Sequence, residues 1–443
     1  MNKKTIAFLV VVSLLALPVA ASAATEFTLG GYLKLHVFWD SAAMNKNNVS
    51  VPLRNNHPDG QHGRLNFTSQ SSRFNFTIKG PELWGAKTTG YLEVDFDQNL
   101  EGVQSASHAY TPRLRHAFFR FNWPETELLM GQYWDFFCEY YPESIQDGPF
   151  QGHGQATHRL AQVRLSQDFG LGWAKDDKLT LAGLIGKATD TNDDILFPAY
   201  PISNGRLEGQ TSETPQIQGK IRYDGDLWGK AGFYGRPMPF SAQVAAAWQR
   251  TRYRAGEFVV DPTDVVLATD QKYRNNWAVQ GTLFIPIIPT ATANLAGTSA
   301  LTVQGYVGQG LDFIGNDINN SFLSLVGVDA AGNIYLRRNL QRVYGGYASL
   351  NYYFTNEWFA NVLWGGASNY GVNGFDSAAN DLVKSWWEIN ANVYYRPVTA
   401  VKFGLGYAYS RAKYYHDGGF VGTSTLEDTG DAHRVQFAGW FFF

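Results

Sequence analysis

Apolar and polar residues alternate along most of this chain with a period of two. Phe27, Leu29, Gly31, Leu33, Leu35, Val37 and Trp39 fall on one face, against Thr28, Gly30, Tyr32, Lys34, His36 and Asp40 on the other, with Phe38 the exception. A period of two is the signature of a strand with one apolar and one polar side. Phe74, Phe76 and Ile78 alternate with Arg73, Asn75, Thr77 and Lys79; Leu92, Val94 and Phe96 alternate with Glu93, Asp95 and Asp97. The pattern recurs at Ile217–Tyr223, at Trp387–Tyr395 and at Val401–Tyr409.

The connections alternate in length. Short ones fall at Lys79-Gly80-Pro81-Glu82, Trp123-Pro124-Glu125-Thr126, Phe354-Thr355-Asn356-Glu357 and Arg396-Pro397-Val398. Long polar ones lie around 41–61, 135–156, 188–214, 255–275, 313–340, 371–382 and 413–431. Short turns on one side and long loops on the other predict an all-β fold, a transmembrane antiparallel barrel of about sixteen strands with both termini on the short-turn side. The stretches near 224–240 and 286–300 read two ways and leave the count open by two. Strands of about ten residues suit a tilted membrane crossing, whereas those of a soluble sandwich run to about five or six. Trp39, Trp84, Trp123, Trp134, the pair Tyr352 and Tyr353, and the pair Tyr414 and Tyr415 sit at strand ends, as interfacial girdles do. The chain stops on a strand, His433 to Phe443, with Val435, Phe437, Gly439, Phe441 and Phe443 on one face. In a closed barrel that strand pairs with the first one.

The segment before Phe27 is an address. Lys3 and Lys4 precede an apolar run from Ile6 to Leu17, and Ala21-Ser22-Ala23 is a cleavage signal, so residues 1–23 read as a signal peptide and 24–443 as the barrel domain. Loss of Lys3 and Lys4 takes the net charge from -3 to -5, too mild a balance to point to nucleic acid. Only 17% of residues are charged while 15% are aromatic. No later segment is long and apolar enough for a membrane helix, so a membrane-embedded chain has to cross as a closed barrel. The single cysteine, Cys138, excludes an internal disulfide and a cysteine-built zinc site.

Charges on the polar faces supply the candidate chemistry. Lys34, Arg73, Arg113, Arg115 and Arg164 fall on inward phases near the first third of the chain. The phase that turns Arg113 and Arg115 inward puts Leu114 and Phe118 outside, and Arg159 is out of phase with Arg164, so it needs a bulge or a rim position to join them. The long segment after Trp134 carries Asp135, Glu139, Glu143 and Asp147 among Phe136, Phe137, Tyr140, Tyr141 and Phe150. That mixture predicts a loop folded into the lumen, its aromatics packed on the inner wall and its acids facing a wall of arginines. Rings of charge of this kind select ions and dipolar solutes.

Other clusters say less. Arg250, Arg252 and Arg254 share an outward face beyond Trp248 and suit the phosphates of lipopolysaccharide. His57 with His62, and His153 with His158, are spaced too loosely to define a metal site. Ser105-Ala106-Ser107-His108 lies in an evident loop without a third orienting group, so no catalytic residue is assigned. No glycine-rich loop follows a strand-to-helix switch, and no cofactor is implied.

The chain resembles the trimeric sixteen-stranded porins, both the general diffusion type and the DcaP-like dicarboxylate channels. The likeness lies in Ser72-Arg73-Phe74-Asn75-Phe76-Thr77-Ile78-Lys79-Gly80, Gly90-Tyr91-Leu92-Glu93-Val94-Asp95-Phe96, Arg113-Leu114-Arg115-His116-Ala117-Phe118, Met130-Gly131-Gln132-Tyr133-Trp134 and the terminal Phe443. It is clear over roughly 26–170 and the last strand, and rests on pattern alone between them. The resemblance implies pore-lining roles for Arg73, Arg115 and Arg159, a constriction loop at 135–156, a homotrimer, and a last strand of the kind the barrel-assembly machinery recognises. The loop departs from the family by lacking a Pro-Glu-Phe-Gly-Gly run, having Pro142-Glu143-Ser144 and Gly148-Pro149-Phe150 instead. The expected function is a passive channel for small hydrophilic solutes and ions, leaning weakly to anions or small carboxylates because Glu93, Asp95 and Asp97 oppose a strong bias. The alternatives are a sugar-specific channel with an inward aromatic track, and an adhesive barrel with a plugged lumen.

Overall fold

In a computed structural model, the described residues are 26–42, 44, 51–97, 111–146, 154–188, 213–257, 259–260, 265–266, 270–311, 322–328, 334–370, 383–415 and 427–443. Sixteen antiparallel strands close into one barrel. In chain order they are β1 (Glu26–Asp40), β2 (in two pieces, Arg64–Thr68 and Arg73–Leu83), β3 (Ala86–Asp95), β4 (Arg113–Asn122), β5 (Thr126–Trp134), β6 (Arg159–Phe169), β7 (Lys175–Gly186) and β8 (Gln216–Asp226). There follow β9 (Phe240–Glu257), β10 (Asp270–Ile288), β11 (Ser299–Gln309), β12 (Arg342–Tyr353), β13 (Trp358–Tyr370), β14 (Val383–Val398), β15 (Val401–Tyr414) and β16 (Thr429–Phe442). The ladder of β1 with β16 runs from Tyr32↔Phe442 to Asp40↔Arg434 and closes the sheet. Both unpaired edges are thereby removed, as a spanning sheet requires. Three described hairpins lie outside this count, the smallest being Val259–Val260 with Val265–Val266. Phe322–Val328 with Ile334–Leu340 pairs onto the far end of β9. Ala231–Phe233 with Arg236–Met238 occupies the ambiguous stretch between β8 and β9 and folds inward from the short-turn side.

The alternation becomes two surfaces. On β1, Leu33 and Leu35 are exposed on the outer wall while Lys34 and His36 are buried inside. On β16, Val435, Phe437 and Phe441 face out and Arg434 and Gln436 face in. Phe38 breaks the alternation because it faces inward, under the guanidiniums of Arg434 (4.4 Å) and Arg64 (5.8 Å). Both arginines bond the Asp40 carboxylate, at 2.6 and 2.7 Å.

Three local expectations are corrected. Phe118 faces the interior and Phe119 is the exposed residue, because Arg115 is an extra residue between the Glu93↔His116 and Val94↔Leu114 pairs. This β-bulge turns both Arg115 and His116 inward and shifts the phase beyond them. The first short turn is at Trp84-Gly85, with φ of 54° and 76°, and Gly80-Pro81 is instead a register shift inside β2. Of the girdle aromatics, Trp39, Trp84 and Tyr352 are exposed, whereas Tyr353 and Tyr414 are buried inside and Trp134 lies among lumen arginines. Adjacent residues of a strand face opposite ways, so Tyr352 and Tyr353 cannot both belong to a girdle.

The well-packed interior lies in the lumen, where the loop after β5 crosses. Phe136, Phe137 and Tyr140 are buried there. Each such ring removes on the order of 150–250 Å² from water, so together they contribute several kcal/mol to seating the loop.

Candidate functional site

The loop crosses because the inner wall offers its backbone a set of side-chain partners. Gln218 on β8 accepts from the Phe136 N–H at 3.1 Å, Gln243 on β9 donates to the Phe136 carbonyl at 2.9 Å, and Gln280 on β10 donates to the Phe137 carbonyl at 3.1 Å. Further along, Tyr347 on β12 donates to the Tyr140 carbonyl and Asn361 on β13 to the Glu143 carbonyl. Lys34 on β1 reaches the Ile145 carbonyl at 2.8 Å, and Asn390 on β14 the Gln146 side chain at 3.0 Å. Buried backbone groups without such partners would each cost about 1–3 kcal/mol. The returning limb fits closely at Gly154, whose φ is 67°. A Cβ there would stand 2.2 Å from the Gly346 carbonyl oxygen and 2.5 Å from the Gly366 nitrogen.

The charges fall into separate groups. On the near wall, Arg113 bonds Asp95 at 2.7 Å, and Arg115 bonds Glu93 at 2.6 Å and Asp95 at 2.5 Å. Arg73 is 3.5 Å from Glu93. Trp134 lies between two guanidiniums, Arg159 at 4.9 Å and Arg115 at 5.9 Å. Arg159 sits at the first position of β6, whose ladder with β5 runs unbroken, so the rim position and not a bulge brings it beside Arg115. Among the described residues it makes no ion pair. Arg164 bonds Glu127 at 3.0 Å and lies over Tyr133 at 5.1 Å and Phe136 at 5.6 Å.

The loop acids are compensated elsewhere. Asp135 bonds its own loop, accepting from the Phe137 N–H (3.0 Å), the Thr157 hydroxyl (2.5 Å) and the His158 N–H (3.2 Å). Glu139 pairs with Lys220, and with Arg222 at 2.7 Å, both on β8. Burial alone would raise the Glu139 carboxyl, but those two cations outweigh it and bring it from 4.5 down to about 2. Glu143 pairs with Lys402 on β15 at 3.2 Å. Among the described residues, no ion pair joins Glu139 or Glu143 to Arg73, Arg113 or Arg115. Lys220, Arg222 and Lys402 are absent from the candidates drawn from sequence. Their polar phase was legible; the loop acids as their partners were not.

Beneath the loop, toward the short turns, lies a cavity of about 1000 Å³. Its lining has six basic residues (Lys34, Arg73, Arg115, Arg236, Arg396, Lys402) against four acids (Asp95, Asp97, Glu143, Glu357). Aromatic rings rise along its wall. Tyr353 and Phe359 stack at 4.9 Å, Phe359 and Tyr394 at 4.7 Å, and Trp440 carries the ammonium groups of Lys402 at 4.4 Å and Lys34 at 4.9 Å over its ring. Cys138 lines the same cavity. Burial pushes its thiol well above the usual range, and Asp135 adds to that.

Asp147, Phe150, His153 and the Ser105–His108 run lie outside the described residues, as do the side chains of Arg252 and Arg254. Arg250 lies over the Tyr273 ring at 3.9 Å. Among the described residues, no three His, Cys, Asp or Glu side chains gather in a group that could hold a metal.

No family model matches the chain, and no curated protein matches it in sequence. Solved structures do. The outer-membrane channel DcaP of Acinetobacter baumannii superposes with a TM-score of 0.65 at 17% identity, covering 96% of this chain and 99% of that one. This chain has the fold of the sixteen-stranded outer-membrane channels. An anion-selective porin from Comamonas acidovorans shares that fold at a TM-score of 0.51 and 11% identity, covering 95% of this chain and 100% of that one. The porin fold accounts for the apolar outer wall and the polar lumen together, since one contacts lipid and the other water.

Proposed function

We propose that this chain is an outer-membrane channel through which small hydrophilic solutes and ions diffuse, with a lean toward anions and small carboxylates. The observation that carries the reading is the lumen itself: a loop anchored across a charged interior, above a cavity whose basic residues outnumber its acids six to four. Barrels of this size enclose an aqueous path unless something narrows it, and charges at a narrowing decide what passes. The pairing of Glu139 and Glu143 with cations of the opposite wall supports the anion lean, because neither acid is left to attract cations. Pore-lining roles for Lys34, Arg73, Arg113, Arg115, Arg159 and Arg164 belong to the same proposal. So do a signal peptide at 1–23, a homotrimer, insertion through a last strand ending at Phe443, and lipopolysaccharide contacts at Arg250. No catalytic chemistry enters this reading.

A sugar channel needs open ring faces along an inward track. Here Tyr353, Phe359 and Tyr394 stack on one another, and lysines cover Trp440, so the wall presents ring edges and cations. Ring edges carry the positive end of the aromatic quadrupole, which supports the anionic over the saccharide reading. Liposomes carrying the purified protein test this. Swelling is expected to be faster in a small carboxylate salt than in a neutral solute of the same size. Equal rates would remove the anion lean, and no swelling in either would remove the channel.

A further inference from the structure

The hairpin Ala231–Met238 is the one described element that enters the lumen from the short-turn side. Its turn is Tyr234-Gly235, with φ of 49° and 73°, the left-handed pair of a tight hairpin. A tyrosine held there is strained, and strain of this kind persists only where surrounding contacts enforce it. Those contacts are with the constriction loop and the wall. The Tyr234 hydroxyl donates to the Pro142 carbonyl at 3.2 Å, the Gly235 N–H donates to the Tyr353 hydroxyl at 2.9 Å, and the Phe233 ring packs on Tyr140 at 5.5 Å. The hairpin thus meets the loop from below.

The tip carries charge into the cavity. Arg236 lines the cavity, is exposed, and makes no hydrogen bond or ion pair among the described residues. Arg396 lies beside the tip: its guanidinium nitrogen would stand 3.3 Å from a Cβ on Gly235. Its bonds are to the Thr399 carbonyl at 2.8 Å and its ring contact is with Phe442, so it has no carboxylate partner among the described residues. On the near wall Arg113 and Arg115 are neutralised by Glu93 and Asp95, whereas these two are not.

We infer that the constriction has two halves, and that the hairpin is the second: its Arg236, with Arg396, forms an anion-selecting filter on the short-turn side. Resting on the channel reading above, this adds the residues that set its charge preference. A single charge at about 6 Å in water changes local ion concentration roughly threefold; a Debye length of about 8–10 Å screens about half of that energy, and the lower dielectric of the protein wall offsets the loss. Reversal potentials in a salt gradient are measured on wild type, Arg236→Gln and Arg236→Glu, each checked for native barrel formation by heat-modifiable mobility on gels. The anion-to-cation permeability ratio is expected to fall about threefold in Arg236→Gln and further in Arg236→Glu. Arg396→Gln should lower it as well. A conducting wild type with an unmoved ratio in both Arg236 variants overturns this inference and leaves the channel reading standing. A wild type that conducts nothing overturns both.

Discussion

Replacing Glu139 with Gln tests the electrostatics of the loop seat. The carboxylate is held between Lys220 and Arg222, and Arg222 keeps Asp224 (2.7 Å) and the Tyr140 hydroxyl (2.9 Å) when Glu139 is neutral. Lys220 loses its carboxylate and stays under the loop, with its ammonium 5.0 Å from the Phe136 ring. Removing one partner of a buried pair costs about 3–5 kcal/mol because a charge is left uncompensated. The barrel survives that loss because its ladders do not pass through the loop. What changes is the field. One unneutralised charge at about 6 Å is worth roughly 0.7 kcal/mol to a passing ion in water and roughly 2.8 kcal/mol at an effective dielectric of 20. The lower figure is about threefold in permeability ratio. Reversal potentials of Glu139→Gln are therefore expected to move toward anions by about threefold or more, with extra current noise from a loosened loop. Adding Lys220→Met restores the original charge and should return the ratio most of the way. A ratio unmoved in the single variant, or still shifted in the double, would refute the reasoning.

Three further outcomes follow from the loop. The depressed Glu139 carboxyl contributes stability that is fully present above its ordinary value of 4.5 and is lost as pH falls toward about 2. Selectivity should accordingly hold from pH 8 to about 4 and drift only as pH falls toward about 2, where the folded carboxyl takes up its proton, a drift that Glu139→Gln lacks; a midpoint near pH 7 would contradict the assignment. Gly154→Ala forces a Cβ into the backbones of β12 and β13 at a left-handed φ, so the loop should become cleavable by protease while the barrel remains intact. Cys138, its thiol pushed up by burial, should react far more slowly with thiol reagents at pH 8 than a free cysteine does, and heating past the barrel transition should abolish the difference.

Much of the fold was legible in the sequence because a barrel repeats one rule. Each strand has an apolar side for lipid and a polar side for the lumen, and Phe27–Asp40 and His433–Phe443 show it plainly enough to predict their pairing. The rule fails where one residue is inserted. The bulge at Arg115 reverses the facing of Phe118, and nothing in the local sequence marks it. The inward hairpin was illegible for a different reason: its short strands bury against Tyr140 and Tyr353, residues more than ninety positions away in the chain. The same holds for the site. The arginines and the acidic loop stand out by composition and phase, but which cation answers which acid depends on how far the loop crosses. Glu139 finds Lys220 and Arg222, and Glu143 finds Lys402, over separations that no motif spans.

The central claim is that an ion-conducting path with a lean to anions runs through this lumen. Single-channel recording of the purified, natively folded protein in a planar bilayer under a salt gradient tests it most directly. Discrete current steps, with a reversal potential on the anion side of zero, are the predicted result. Silence from folded protein would contradict the channel and favour a plugged or adhesive barrel, and steps with clear cation selectivity would contradict the charge assignment.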